Sequence, residues 1–413
     1  MKKAAKSLAA VTAALLLAIS ANAEAVKNYF SIILEKYSEK NPTYRAAELQ
    51  YEKSSYSGYS NRYSLKSIES SVEDNERQIK SLEYQLSEEP DCYEKESLRA
   101  NIEYRKIYAF ELEFNKAELE LEAAFQAITE EYSEANLNLE KKRLEHELRS
   151  KLNNLSASEK QLAYLEFQEK YCAENVDIIK SSLKIGYATQ LDVENAEAQL
   201  AAASAQVTEC TTQIDQLQYD ILLNIGEEVQ EFSHDYLCEY DASKDELLQQ
   251  FGEVSPQDEM LEEQAQAYRD IIDKIDDINK RLGKCAPKEN ESNTEYQKRL
   301  CERVEGVLAY YKKELAITEN NMKSYEINLK LYISELLGKK DACAAQITAA
   351  EEALKAAETN IDVMNAFYAE GRVRPIDMTE AYAKRAKAEY ELTAAQASLD
   401  NIIFTAENSI IIN

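Results

Sequence analysis

Gly186-Tyr-Ala-Thr-Gln-Leu-Asp192-Val193 and Gly371-Arg-Val-Arg-Pro-Ile-Asp377-Met378 stand 185 positions apart and read as one motif used twice. Each opens on a glycine suited to the left-handed position just past a helix end. In the first copy, Thr189 with Asp192 three residues on reads as a capping box that starts the next helix. In the second, Pro375 fits the first helical position. Asp377 falls in the first turn, where a carboxylate meets the positive end of the helix dipole. Each motif therefore ends one helix and begins another. The same offset aligns Leu191 with Ile376, Val193 with Met378 and Ala196 with Ala381.

The helix after each glycine carries an apolar 3–4 spacing. The first runs Val193, Ala196, Leu200, Ala203, Val207, Cys210, Ile214, Leu217, Ile221. Shifted by the offset, the second runs Met378, Ala381, Arg385, Ala388, Leu392, Ala395, Leu399, Ile402, Ala406. A matching seam precedes the second motif: Ile347, Ala350, Leu354, Ala357, Ile361, Met364, Tyr368. A sustained seven-residue repeat makes helices supercoil on a partner. Two such seams joined by a short turn make an antiparallel helical hairpin. Only Arg385 breaks the pattern. It either pairs with an acid across a subunit contact or lies at a seam edge with its stem buried and its head in water.

Proline marks the remaining organisation. A proline inside a helix costs ~3 kcal/mol, so Pro42, Pro90, Pro256, Pro287 and Pro375 each mark a break or a first turn. From Tyr93 to Lys184 there is neither glycine nor proline. From Asn293 to Glu370 the breakers are Gly306 and Gly338, which a helix tolerates at about 1 kcal/mol each. Further turns are expected at Ser87–Cys92 and Gly283–Asn290. Each half then consists of one long helix paired with two shorter ones: Asn41–Leu86 and Thr189–Ile225 in the first, Pro256–Leu282 and Pro375–Ala406 in the second. Asn41-Pro42 is echoed by Ser255-Pro256. The expected division is a signal peptide over 1–23, a first helical repeat over 24–226, a connector over 227–252, irregular or partly helical, and a second repeat over 253–413.

Composition agrees and excludes much. Among 413 residues there are 8 Gly, 5 Pro and no Trp, with 30% charged. That profile belongs to long helices and coiled coils. With 76 acidic against 48 basic residues the net charge is −28, which excludes a nucleic-acid partner, because phosphate backbones are bound through Lys and Arg. His146 and His234 lie far apart with no clustered ligands, so neither a metal site nor a His-dependent hydrolase is expected. No nucleophile or phosphate loop stands out, and acids occur throughout, so no acid/base couple can be singled out. No enzyme activity and no cofactor are expected. The 27 tyrosines read as seam-edge packing, and acidic runs such as Glu111–Glu122 as solvated helix faces.

Lys2, Lys3 and Lys6, the apolar run Leu8–Ile19, and Ala21-Asn22-Ala23 read as a secretory signal. The run is short of the ~20 residues a spanning helix needs, which weighs against an uncleaved anchor. Export permits disulfides. The seven cysteines are nevertheless odd in number, form no CxxC pair and often fall at apolar helix positions, which favours free or buried thiols over a disulfide framework.

Lys184-Ile-Gly-Tyr-Ala-Thr-Gln-Leu-Asp-Val-Glu-Asn-Ala-Glu-Ala-Gln-Leu200, Tyr368-Ala-Glu-Gly-Arg-Val-Arg-Pro-Ile-Asp-Met-Thr-Glu-Ala-Tyr382 and Lys40-Asn-Pro-Thr-Tyr-Arg-Ala-Ala-Glu48 resemble, in combination, the TolC-like outer-membrane efflux protein family. The duplicated architecture extends the likeness over nearly the whole chain after the signal. The resemblance implies an exit duct built as a homo-trimer, with helical hairpins forming a periplasmic tunnel. It also implies tips that meet a periplasmic adaptor reaching an inner-membrane transporter. The hairpin-tip residues at issue are Gly186, Thr189, Leu191, Asp192, Gly371, Pro375, Ile376 and Asp377; the alternative for the two aspartates is helix capping alone. One departure stands out. The family places barrel strands where this chain has Ser87–Cys92 and Gly283–Asn290, and no alternating segment of about 9 to 11 residues flanks either turn. Ser54–Tyr63 alternates weakly but is too polar to face lipid.

The expected fold is therefore all-α: elongated, duplicated antiparallel coiled-coil hairpins, TolC-like, with little or no β-barrel, and with membrane association left open. The functional expectation is an efflux or export duct component. The alternative is an exported coiled-coil scaffold of the cell envelope without pore activity. The expected location is the outer membrane or periplasm if the host has an outer membrane, and otherwise the cell surface or exterior.

Overall fold

The computed structural model describes residues 33–225, 241–285 and 291–411, apart from the side chains of 57–60, 224, 225, 253 and 254. The signal segment, most of the connector with His234 and Cys238, and residues 286–290 of the expected Gly283–Asn290 turn, Pro287 among them, lie outside them. Residues 33–40 are helical. Among the described residues seven helices follow: α1 (Pro42–Glu88), α2 (Cys92–Lys184), α3 (Gln190–Ile225), α4 (Lys244–Val254), α5 (Pro256–Lys284), α6 (Glu291–Ala369) and α7 (Pro375–Glu407). Among the described residues there is no strand. The fold is all-α, and each expected helix is present within two residues of its expected ends.

The prolines act as their chemistry dictates. Pro42, Pro256 and Pro375 each open a helix, where the missing N–H costs nothing and the fixed φ is already helical. Asn41 caps α1, its Oδ1 accepting from the amides of Thr43 (3.0 Å) and Tyr44 (3.1 Å). Ser255 caps α5, its Oγ accepting from the Asp258 amide at 3.3 Å. Pro90 sits between α1 and α2, and Asp91 Oδ1 accepts from the Tyr93 amide at 2.7 Å to start α2. Gly306 and Gly338 lie inside an unbroken α6, and Ser54–Tyr63 lies inside α1. The helix α4 echoes the helical stretch 33–40. Ile33 and Tyr37 are buried, and so are Leu247 and Phe251, each 214 positions later and at the same distance before a capped X-Pro.

The chain divides into two compact units. The first takes its described residues from 33–45, Glu140–Gln250 and 332–411. Here α3 runs back along α2. Leu144, Leu148, Leu152, Leu155 and Leu165 of α2 pack on Cys210, Ile214 and Ile221 of α3, with Ile33 and Tyr37 laid over them. Lys151–Asp220 (2.6 Å) and Lys180–Glu197 (2.7 Å) mark the antiparallel register. In the same way α7 runs back along α6, with Cys343 against Leu399 and Ile403. The first expected seam holds, every position from Val193 to Ile221 being buried or half-buried; in the seam before the second tip the positions from Ile347 to Met364 are buried or half-buried, but Tyr368 at its end is exposed. Arg385 is exposed and lies 3.7 Å from Glu358 of α6, at the edge of its own hairpin.

One relationship was not legible in the seams. α7 also packs on α2, through Arg149–Asp400, Lys160–Glu389 (2.6 Å), Thr379–Glu174 (3.1 Å) and the Phe167 and Tyr382 rings at 6.0 Å. The order across this unit is α3, α2, α7, α6.

The second unit takes Ala46–Leu139 and the described residues of Phe251–Leu331. α1 lies on α2 through Asn61–Gln126 (2.8 Å) and Lys116–Glu69 (3.1 Å). Asn75 of α1, buried, donates to the Arg105 carbonyl at 3.1 Å. Ile107, Phe114 and Leu121 of α2 then meet Ile271, Ile275 and Leu282 of α5 and Leu300, Val304 and Leu308 of α6 in one core.

Candidate functional site

The two glycine tips close on the same backbone device. At the end of α2, Gly186 takes φ +81°. Its amide donates to the Leu183 carbonyl (3.1 Å), and that of Tyr187 to Ser182 (2.9 Å). At the end of α6, Gly371 takes φ +71°. Its amide donates to the Tyr368 carbonyl (2.9 Å), and that of Arg372 to Phe367 (2.9 Å). These paired bonds use up carbonyls that a helix end leaves without partners. A Cβ built on either glycine meets nothing within 4 Å. Glycine is needed there for its left-handed backbone, not for space.

Each tip then starts a helix on an aspartate. Asp192 Oδ2 accepts from the Thr189 amide (2.7 Å) and hydroxyl (2.7 Å), while Thr189 Oγ1 accepts from the Asp192 amide at 3.2 Å. That is the capping box read in the sequence. In the second tip Arg374 stands where Thr189 stands in the first. Its amide and Nε donate to Asp377 Oδ2 at 3.1 and 3.0 Å, and its Nη2 to Oδ1 at 2.7 Å. The backbone and hydroxyl bonds from Thr189 hold the Asp192 carboxyl below its ordinary range. The Arg374 guanidinium does the same for Asp377. Both aspartates are thus fixed as anions at helix N-termini.

Surroundings distinguish the tips. Ile185, Tyr187 and Leu191 of the first are exposed, Leu191 by 63%. Ile376, its repeat counterpart, is 6% exposed, because α7 is flanked by α2 as well as by α6. Thr189, Gly371 and Pro375 are exposed and Asp377 is half-buried. The eight residues therefore form two separate small turns of matching build, with apolar surface open at the first.

Sequence reasoning missed the buried polar junction between α2 and α7. Asp400 is fully buried. It accepts from Arg149 Nε and Nη2 and, at 2.9 Å, from Asn153 Nδ2, which also reaches Asn401 Oδ1 at 3.1 Å. Arg149 also stands 5.3 Å over the Phe404 ring. A signal existed. Thr379, Tyr382, Ala386, Glu389, Thr393, Ala397, Asp400 and Phe404 form a second 3–4 stripe on α7, hidden because half of its members are polar.

Cys92, Cys172, Cys210, Cys285, Cys301 and Cys343 are free thiols, and burial pushes all but Cys92 up from the ordinary thiol range. Among the described residues no group of three His, Cys, Asp or Glu could hold a metal ion. No described helix is long and apolar enough to cross a membrane.

No protein-family model matches the chain, and no curated protein matches it in sequence. Solved structures are similar over part of the chain, at low identity. The outer-membrane channel OprN is 16% identical with a TM-score of 0.49, over 71% of this chain and 71% of that one. The outer membrane protein VceC from Vibrio cholerae is 13% identical with a TM-score of 0.48, over 71% of this chain and 74% of that one. The Campylobacter jejuni CmeC outer membrane channel is 11% identical with a TM-score of 0.45, over 71% and 67%.

Proposed function

We propose that this chain is a component of an export duct in the cell envelope, with copies standing side by side and the glycine tips presented to a partner. The observation that carries the reading is unequal burial at repeat-equivalent positions. Ile376 and Phe404 of α7 are each 6% exposed, whereas Leu191 and Tyr219 of α3, 185 positions earlier, are 63% and 61% exposed. Within the chain α7 buries this face on α2. The repeat makes α6 the counterpart of α2, and α6 lies at the opposite edge of the unit. The free face of α3 is therefore shaped for the α6 of another copy. Such a head-to-tail contact generates a ring when its rotation closes. Three copies, with a periplasmic adaptor at the tips and an inner-membrane transporter behind it, are what the tip resemblance supports.

The test is mass measurement of the mature protein with and without mild detergent, followed by dye or ion passage in liposomes. A closed oligomer that passes dye supports the duct. A monomer with no passage overturns it and favours an envelope scaffold that acts through its coiled coils alone.

A further inference from the structure

We infer that α1 is a releasable strap on the second unit: it lifts from α2 and returns in one register while α2, α5 and α6 stay packed. The device belongs to a single chain and does not depend on the assembly proposed above. It follows from what α1 buries. Ala47, Ser54, Asn61, Ile68, Asn75 and Leu82 recur every seven residues, along the side of α1 that is bonded to α2. Among the described side chains of this 47-residue helix, only Ser54 and Asn75 are buried, and both are polar. Ile68, Val72, Ile79 and Leu82 are half-buried. Leu49, Tyr56 and Tyr63, each two positions beyond a seam residue, lie on the side away from α2 and are exposed. By contrast α5, with 29 residues, buries Leu261, Ala265, Ile271, Ile275, Ile278 and Leu282, the last four in the core it shares with α2. Burial of an apolar face is what holds a helix in place, so α1 is held far less strongly than α5.

What ties α1 down is polar. Asn61 Nδ2 donates to Gln126 Oε1 at 2.8 Å. Asn75 Nδ2 donates to the Arg105 carbonyl at 3.1 Å, and its Oδ1 accepts from Arg105 Nη1 at 3.4 Å. Such bonds are exchanged for bonds to water when the helix lifts, so their net hold is small. Lys106–Glu83 at 3.0 Å and Lys116–Glu69 at 3.1 Å join partly exposed side chains, where ion pairs add little. Polar residues at seam positions fix register at a cost in stability, so α1 has one place to return to. Packing is also open where the two helices join. A cleft of about 650 Å3 lies between them, lined by Glu83 and Leu86 of α1 and by Tyr93, Ala100, Ile102 and Lys106 of α2, among others. The ends are held better than the middle. Ile33 and Tyr37, fully buried, anchor the stretch before Asn41, and residues 89–91 tether α1 to α2. A helix fastened at both ends and weakly held between them opens locally, at a lower free energy than global unfolding. Lifting bares the face of α2 that carries Ile102, Arg105 and Gln126.

The experiment is amide hydrogen exchange of the full chain, read by mass spectrometry of its peptides under native conditions. Residues 46–88 are expected to exchange about tenfold or more faster than residues 261–282 of α5 and 102–128 of α2. Equal rates in α1 and α5 overturn the strap. Asn61→Leu combined with Asn75→Leu gives the seam an apolar character and is expected to slow exchange across α1 by about tenfold, leaving α5 unchanged. Fast exchange in α1 that this double variant does not slow also overturns the inference, because the looseness then has another cause than the polar seam. Should the double variant fail to fold, Asn75→Ala decides, since it removes the bonds to Arg105 and adds no bulk. Faster exchange in α1 with α5 unchanged supports the strap. No change in α1, or the same change in α5, rejects it.

Discussion

Arg149 of α2 and Asp400 of α7, 251 positions apart, meet through two parallel bonds, Nε to Oδ2 at 2.6 Å and Nη2 to Oδ1 at 2.5 Å. Asp400 is fully buried and the Arg149 side chain is 17% exposed. Removing one partner of a buried pair costs ~3–5 kcal/mol, because the other is left uncompensated. Asp400→Asn is expected to lose at least about 3 kcal/mol on that ground. Arg149→Met combined with Asp400→Leu should recover most of it, since well-packed apolar replacements of buried pairs are often neutral. Urea unfolding of the three chains measures both effects. A double variant no better than the single one would show that the pair itself holds α7 to α2.

The glycines separate into two kinds. Gly186→Ala and Gly371→Ala force an L-residue into the left-handed region and should each cost about 1–2 kcal/mol. Gly306 and Gly338 are helical with nothing within 4 Å of a Cβ. Gly306→Ala and Gly338→Ala should therefore each stabilise by up to about 1 kcal/mol. Thermal unfolding followed by circular dichroism compares all four, and a tip variant as stable as the parent would contradict the account of the turns.

Acid should loosen the tips. The folded carboxyls of Asp192 and Asp377 lie below their ordinary value. Their contribution is present above the unfolded carboxylate range and is lost as pH falls through the folded values. Amide exchange at the starts of α3 and α7 should quicken as the solution is acidified through that window, once the intrinsic pH dependence of exchange is divided out. Asp192→Asn should remove the pH dependence at α3 and leave it at α7.

Repeat-equivalent substitutions should be unequal. Phe404→Ala, in a buried site, is expected to cost about 3–5 kcal/mol. Tyr219→Ala, exposed in a single chain, should change the stability of the monomer by no more than about 0.5 kcal/mol. If the α3 face is covered by another copy, the same Tyr219→Ala should lower the oligomeric fraction in sedimentation. Loss of monomer stability without any change in assembly would count against the proposed contact.

The helices and tips were legible because their determinants are local. Proline opens Pro42, Pro256 and Pro375 wherever the chain is placed, and Gly186 and Gly371 adopt positive φ because helix ends demand it. The seams at Val193–Ile221 and Ile347–Met364 report burial directly through their period. The second face of α7 was not legible. Asp400 and Thr379 are polar, and in one dimension a buried Asp looks like a solvated one until its Arg is known. Nor could the period on α1 say that Leu49, Tyr56 and Tyr63 face outward, since that depends on which of two stripes α2 covers.

The amino-acid sequence by itself determined the helices, their ends, the two left-handed tips and the duplication, because propensity, capping and apolar period act over a few residues. The tertiary structure alone decided that α7 lies between α6 and α2, that Arg149 finds Asp400, and that equivalent faces of α3 and α7 differ in exposure. Those facts depend on contacts between residues hundreds of positions apart, where packing and charge pairing choose among neighbours that local chemistry leaves equal.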